Sequence, residues 1–350
     1  MNICFALSSL ASGGAERVAS TLCNYFYDQG HKVTIVLVSV SSNNSFYDIH
    51  DGIKIVPLMT SKKDKNPFRR TTLLRNKLLE ISPDIVIAFL PHICIYTYFA
   101  LRKTKIPFIC SERNDPHQYS FLRKLLLKKA FKKANGAVFQ TNDARKFYKK
   151  VPDNKACTIK NPVFLDPELN IKNIIERKKL FISVGRLTKQ KNFDLLIRAF
   201  SEFHKANSDY SLTIYGEGPL RDQLTQLIEK LNLTDSVFLP GTDKHWHQTA
   251  VLSKGFISSS NYEGMPNCLE EALCLGCPSV ATDCPVGGSR ELIELFGFGK
   301  LISAGSEGEL IQSLYELKDN KIPFGTPDYS KVSVEHIGDA WIDFIKKIVQ

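Results

Sequence analysis

Two carboxylates, Glu263 and Glu271, bracket a Gly264-Met265-Pro266 turn that opens through Asn267 onto the helix-like run Cys268-Leu269-Glu270-Glu271-Ala272-Leu273. A helix start presents backbone amides and the positive end of the helix dipole, and both attract phosphate. Ionised carboxylates only accept hydrogen bonds, so they grip hydroxyl groups. One segment thus offers amides for a diphosphate and acids for the diols of a sugar and a ribose, which together are the parts of an activated sugar.

A second cluster lies upstream, in Ser183-Val184-Gly185-Arg186-Leu187-Thr188-Lys189-Gln190-Lys191-Asn192, where an apolar run gives way to a turn. Gly185 lets the backbone turn sharply, and Arg186 and Lys191 can converge across the turn on one diphosphate. Alone, such a pair is a solvated basic turn; beside the Glu263 to Glu271 segment it reads as the charge that receives a departing diphosphate. The sequence has no D-x-D pair to hold a metal, so no metal or cofactor is expected and side chains must supply that charge. Cys274-Leu275-Gly276-Cys277 has the C-x-x-C form, but no second pair stands at zinc-like spacing, and Gly276 and Pro278 mark a helix stop.

The elements that must position these residues alternate regularly. With 350 residues and 43% hydrophobic content, the chain exceeds one core and implies two domains. Apolar runs at Ile3 to Leu7, Val33 to Val38, Ile53 to Leu58, Ile85 to Leu90, Phe108 to Cys110 and Ala137 to Phe139 are separated by helix-length segments, the pattern of a parallel sheet wrapped by helices. Phe181 to Val184, Ser211 to Tyr215, Val237 to Leu239, Phe256 to Ser258, Ser279 to Ala281 and Leu301 to Ser303 repeat it, with helices such as Phe193 to Phe200 and Leu220 to Leu231 between. A polar connection from Asn161 to Glu176, broken by Pro162 and Pro167, reads as the linker. The expected division is 1–165, 166–335 and a final helix at 336–350. Two doubly wound α/β domains meeting at the carboxyl ends of their strands would enclose a ligand cleft.

No apolar run approaches the roughly 20 residues of a spanning helix, and the chain starts directly with a strand, so a cytoplasmic location is expected. Nine cysteines in mostly apolar surroundings fit reduced thiols. Charge divides the chain: up to Leu165 it carries 26 Lys and Arg against 11 Asp and Glu, and beyond that 20 against 25. The excess gathers at Lys62 to Lys77 and in Phe121 to Lys133, where Arg123, Lys124, Lys128, Lys129, Lys132 and Lys133 alternate with Phe121, Leu122, Leu125, Leu126, Ala130 and Phe131. Such a helix can lie on an anionic membrane surface, each cation there contributing about 1 kcal/mol. It can equally dock its apolar side on its own domain. No nucleic-acid-binding signature accompanies the charge, and no nucleic-acid partner is expected.

The combination of Gly185-Arg186-Leu187 with Lys191, Tyr215-Gly216-Glu217-Gly218-Pro219-Leu220, and Glu263-Gly264-Met265-Pro266 ending in Glu271 resembles the family 4 retaining glycosyltransferases of the GT-B fold. Ser12-Gly13-Gly14-Ala15-Glu16-Arg17 is similar to that family's first glycine loop, and Ile337, Trp341 and Phe344 to its last helix, which crosses back to the first domain. Among members the chain looks most like bacterial enzymes that build lipid-linked oligosaccharide, O-antigen or exopolysaccharide repeat units. The resemblance implies that Arg186 and Lys191 hold the donor diphosphate, Glu271 takes the ribose hydroxyls and Glu263 approaches the donor sugar, with the turn Gly264, Met265, Pro266 and Asn267 completing that pocket. It also implies that Gly14 lets a loop approach the phosphates and that Gly216, Gly218 and Gly241 shape the base pocket. Gly287-Gly288 followed by Glu291 stands where the family has another glycine turn.

In the first domain, many relatives place a histidine after the fourth strand. His92 lies close to that position, with a catalytic or sugar-binding role and a purely structural one both open. Glu112 and Arg113, after the next strand, are either acceptor-orienting groups or a loop ion pair. The expected activity is a retaining transfer from a nucleotide diphosphate sugar, UDP-hexose or UDP-N-acetylhexosamine ahead of GDP-mannose, to an undecaprenyl-diphosphate-linked glycan at the inner face of the cytoplasmic membrane. The alternatives are a nucleotide-sugar epimerase of the same architecture, which needs no acceptor, and a noncatalytic basic nucleic-acid-binding module.

Overall fold

A computed structural model describes residues 1–11, 13–40, 44–59, 66–163, 169, 177–326 and 328–350. The lysines at 62, 63 and 65 and most of the linker lie outside the described residues. The chain forms two compact units, Met1–Pro162 with Ser330–Gln350, and Val163–Tyr329.

The first unit contains β1 Asn2–Leu7, α1 Gly14–Asp28, β2 Lys32–Leu37, β3 Lys54–Pro57, α2 Pro67–Ile81, β4 Ile85–Phe89, α3 Pro91–Leu101, β5 Phe108–Ser111, α4 Phe121–Lys133, β6 Gly136–Phe139, α5 Asn142–Phe147 and β7 Ala156–Thr158. Its strands form one sheet in the order β3-β2-β1-β4-β5-β6-β7, every neighbouring pair parallel. The central β4, Ile-Val-Ile-Ala-Phe, is buried throughout because helices cover both faces of the sheet. Strand β7 was not apparent in the sequence: it has three half-buried residues at the sheet edge and no apolar run to mark it. Turn chemistry sets the helix ends; Asn66 caps α2 through its side chain with Pro67 in the first turn, where its fixed φ suits a helix and its missing N–H costs nothing.

The second unit runs β8 Leu180–Val184, α6 Phe193–His204, β9 Ser211–Tyr215, α7 Arg221–Lys230, β10 Val237–Gly241, α8 Trp246–Leu252, β11 Gly255–Ser258, α9 Asn267–Cys274, β12 Ser279–Asp283, α10 Gly288–Phe296, β13 Lys300–Ser303 and α11 Glu307–Lys318. Its parallel sheet is ordered β10-β9-β8-β11-β12-β13. The final helix, α12 Val334–Val349, returns to the first unit. Trp341 is fully buried there beside Phe89, the ring of Phe344 covers Gly136, and Tyr25 donates to Asp339 at 2.7 Å.

Strand order reverses between β1 and β4 in the first sheet and between β8 and β11 in the second. At such a point the connections leave the carboxyl edge in opposite directions and open a crevice where ligands bind. The turns after β8 and β11 are the two segments that carry Arg186, Lys191 and Glu263. None of the nine cysteines is in a disulfide, and seven are buried. Among the described residues, no helix is long and apolar enough to cross a membrane.

Candidate active site

The site of the second unit is built at its strand-order reversal. Adjacency of β8 and β11 brings the turn at 185–192 against the turn at 259–267, and the hydrogen bonds between them are specific. Asn261 N donates to the Gln190 carbonyl at 2.8 Å, the Asn261 side-chain amide to the Lys189 carbonyl at 2.8 Å, and Ser259 Oγ to the Lys191 carbonyl at 2.9 Å. At the centre, Lys191 Nζ lies 2.7 Å from Glu263 Oε1. Ser260 Oγ donates to the same oxygen at 2.8 Å, and Gln190 Nε2 to Oε2 at 3.2 Å. Burial opposes the Lys191 charge, yet the carboxylate of Glu263 more than compensates, so its pKa is raised and it stays an ammonium. Arg186 sits exposed on the same turn, near enough for its charge to oppose that of Lys191. The expected roles of Lys191 and Glu263 as separate donor contacts therefore become one joined unit.

Glycines here work by close packing. The stem of Lys191 lies over Gly185, where a Cβ would come within 2.7 Å of Lys191 Cε. Gly216 has φ +140°, and a Cβ on it would overlap the Gly185 carbonyl oxygen; one on Gly218 would stand 2.5 Å from the Leu187 carbonyl oxygen. Gly216 and Gly218 thus hold the Gly185-Arg186-Leu187 turn by backbone contact, reinforced by Gly185 N to the Tyr215 carbonyl and Leu187 N to the Glu217 carbonyl, both 2.9 Å. Gly288 opens α10 flush against the donor turn, since a Cβ there would overlap the Gly264 carbonyl oxygen. That gives the Gly287-Gly288 pair a role the sequence left unassigned.

Helix α9 starts at Asn267 with Pro266 at its cap, which provides no side-chain cap. Gly264, Met265 and Pro266 are buried while Asn267 is half-buried. Glu271, one turn further on, is 2% exposed and its Oε2 lies 2.7 Å from His247 Nε2 of α8. His247 was missed in the sequence. A lone histidine carries no spacing signal, and the contact exists only because α8 packs against α9 in three dimensions.

In the first unit, Gly14 opens α1 at the carboxyl end of β1, and His92 lies in the first turn of α3 after β4, so both flank the other strand-order reversal. Burial, with Arg123 and Arg70 nearby, pushes the His92 imidazole down to about 4, leaving it neutral near pH 7. Leu90, two residues before it at the cap of α3, takes φ +93°, a conformation L residues rarely adopt and one stored where surrounding packing enforces it.

Glu112, for which an acceptor-orienting role and a loop ion pair were both open, is enclosed by its own domain. It is 1% exposed, and its Oε1 accepts from Tyr119 Oη at 2.8 Å, Arg113 N at 3.1 Å and Asn114 N at 3.2 Å, while Oε2 accepts from Tyr148 Oη. Burial outweighs these bonds and raises its pKa to about 7. Arg113 follows it in the chain and turns toward other groups. Its guanidinium stacks 4.2 Å from the Phe89 ring centre and donates to Ser111 Oγ and Asn161 Oδ1, each at 2.8 Å. The loop is a buried hub of hydrogen bonds.

Helix α4 also differs from the expected two-faced cylinder. Leu127, Ala130 and Phe131 are buried in the domain, but Phe121, Leu122 and Leu125 are exposed, at 80%, 68% and 53%. Lys129, Lys132 and Lys133 are exposed, as is Lys128, whose Nζ lies 4.4 Å from the Phe147 ring centre; Lys124 is half-buried, and Arg123 turns inward over the Tyr119 ring at 4.5 Å.

The profile for the group 1 glycosyl transferases matches residues 166–328, and that for Glycosyltransferase Family 4 matches residues 12–166. A Campylobacter jejuni N-acetylgalactosamine-N,N'-diacetylbacillosaminyl-diphospho-undecaprenol 4-alpha-N-acetylgalactosaminyltransferase is 30% identical over 90% of this chain and 89% of its own length. This chain belongs to glycosyltransferase family 4. The amylovoran biosynthesis glycosyltransferase AmsD of Erwinia amylovora is 26% identical over 82% of each chain. Among solved structures, Staphylococcus aureus TarM, bound to UDP and fondaparinux, superposes with a TM-score of 0.79 at 17% identity, covering 99% of this chain and all of that one. Anabaena HepE with UDP and glucose gives 0.80 at 16% identity and 99% coverage of both. The glycosyltransferase shares their GT-B architecture of two parallel-sheet domains.

Proposed function

We propose that this glycosyltransferase moves a sugar, with retention of anomeric configuration and without a metal, from a nucleotide diphosphate donor to a lipid-diphosphate-linked glycan. The observation that carries the reading is the joined Lys191–Glu263 unit, with Arg186 beside it and the start of α9 adjoining, all at the strand-order reversal of one sheet. A buried ammonium fixed by a carboxylate, and a guanidinium on the same turn, form a preorganised seat for the charge that builds on a leaving diphosphate. Such groups contribute roughly 3 to 4 kcal/mol each in a dry site.

In the proposed step, the bond from the anomeric carbon to the donor's β-phosphate oxygen breaks, and its electron pair leaves with the nucleoside diphosphate. The acceptor hydroxyl oxygen bonds to that carbon from the same face, and its proton passes to the departing phosphate. Glu263 and the amides of Gly264, Met265 and Asn267 border the sugar, and Glu271 takes the ribose. UDP-hexose or UDP-N-acetylhexosamine is the preferred donor, supported by the UDP complexes of TarM and HepE, with GDP-mannose second. An undecaprenyl-diphosphate-linked acceptor is supported by the named substrate of the Campylobacter relative.

Phe121, Leu122 and Leu125, exposed beside the lysines of α4, and Phe68, 83% exposed beside Arg69 on α2, support docking of the first unit on the anionic inner face of the cytoplasmic membrane. The test of the reaction is the anomeric proton coupling of the product made from a UDP-sugar and an undecaprenyl-diphosphate glycan in excess chelator. Retention with undiminished rate is expected; an inverted product or dependence on added metal overturns the mechanism.

A further inference from the structure

His247 and Glu271 form a buried pair that no motif announces. Both side chains are nearly sealed from solvent, 9% and 3% exposed, and Nε2 meets Oε2 at 2.7 Å. One packing contact holds the imidazole, and a second holds its partner. The imidazole ring stacks on Trp246, with centroids 4.2 Å apart and planes 28° apart, and Trp246 is itself 3% exposed and packed on Phe256 of β11 at 5.9 Å. The ring thus has little freedom to rotate. While the carboxylate is ionised, the hydrogen between the two atoms sits on Nε2, so the histidine is the donor whether neutral or protonated.

We infer that His247 is a positioning residue for ribose recognition: its Nε2–H holds the Glu271 carboxylate in the rotamer that accepts the ribose hydroxyls of the donor nucleotide. The inference rests on the reading of the second unit as the donor site and adds to it a residue on a different helix. A glutamate side chain has three rotatable bonds, and two hydroxyls are gripped together only when its carboxylate plane is set beforehand. Helix α8, anchored by Trp246, provides that setting for α9. His247 touches Glu271 rather than the nucleotide, so its loss should matter only to ligands that use Glu271.

The full-length protein is titrated calorimetrically with UDP, GDP and the 2′-deoxy form of each, as wild type, His247→Leu and His247→Gln. The wild type is expected to bind the ribose form of its nucleotide about tenfold more tightly than the deoxy form, the loss expected when one buried hydrogen bond is left unmade. His247→Leu should weaken the ribose form by a similar factor and leave the deoxy form nearly unchanged, bringing the ratio toward one. His247→Gln, which keeps an N–H near the position of Nε2, should restore most of the ratio. If the leucine variant does not fold, His247→Asn, whose amide falls short of Glu271, carries the leucine expectation. Equal weakening of both forms with the ratio intact overturns the inference and makes His247 a packing residue only. A wild type that binds neither nucleotide overturns the donor-site reading itself, and a wild type that binds without preferring ribose removes the assigned role of Glu271.

Discussion

Replacing Glu112 by glutamine separates the buried hub seen in the structure from an acceptor contact. The carboxyl is held by two tyrosine hydroxyls and two backbone amides, and burial moves its pKa from 4.5 to about 7. The sign follows from proton binding: between these values the folded chain keeps a proton that the unfolded chain has lost, so wild-type stability falls as pH rises through that window. The full difference corresponds to about 3 kcal/mol above pH 7. Glutamine fits the same cage, because its carbonyl oxygen accepts from the Arg113 and Asn114 amides and Tyr119, and its amide donates to Tyr148 once that hydroxyl turns. The variant carries no ionisation cost. Its thermal midpoint should match that of the wild type at pH 5 and exceed it at pH 8 by on the order of 5 to 10 °C. Differential scanning calorimetry across this range gives the stability arm, and steady-state kinetics with saturating donor gives the acceptor KM, which should not change. A pH-independent midpoint difference, or an acceptor KM raised tenfold at unchanged stability, refutes the buried-hub argument.

The remaining expectations concern the donor site, the first-unit histidine and the membrane surface. Gly288→Ala would drive a methyl into the Gly264 carbonyl and displace the donor turn; a shift of about 1 Å should lower kcat/KM roughly 100-fold, while circular dichroism shows a folded chain. A variant with wild-type kinetics contradicts the proposed buttress. The His92 imidazole, held near 4, should keep its neutral ring signals in an NMR titration down to pH 5, and a midpoint near 6.5 would mean that it is neither buried nor flanked by Arg70 and Arg123 as described. Leu122→Glu with Leu125→Glu should cut co-flotation with vesicles containing anionic phospholipid at least tenfold, with turnover of a soluble acceptor analogue unaltered. Unchanged flotation would remove α4 from the membrane surface.

Much of the fold was legible because the strands of a parallel sheet are short apolar runs buried on both faces, as in β4 and β11, and most are followed by a helix; β2 and β3 are the exception, with no helix between them among the described residues. The edge strand β7 was not, since three half-buried residues carry no pattern. In the donor site, Arg186, Lys191, Glu263 and Glu271 were legible as residues, but their partnerships were not. Whether Lys191 meets Glu263 depends on β8 lying beside β11, which local sequence does not encode. The same holds for His247 and Glu271, joined by the packing of α8 on α9. The burial of Glu112 was not legible for a related reason: Tyr119 and Tyr148, which close over it, come from positions 7 and 36 residues further along the chain. Helix α4 split its apolar residues between core and surface because its first turn, from Phe121 to Leu125, projects beyond the hydrophobic contacts that Leu127, Ala130 and Phe131 make.

The central claim is that positive charge at Arg186 and Lys191 stabilises the departing nucleoside diphosphate. Its most direct test is the single-turnover rate of sugar transfer by Arg186→Met with Lys191→Met, measured at saturating nucleotide sugar and lipid-diphosphate acceptor on protein shown to be folded. The account predicts a fall of at least 1000-fold; a rate within threefold of the wild type would contradict it.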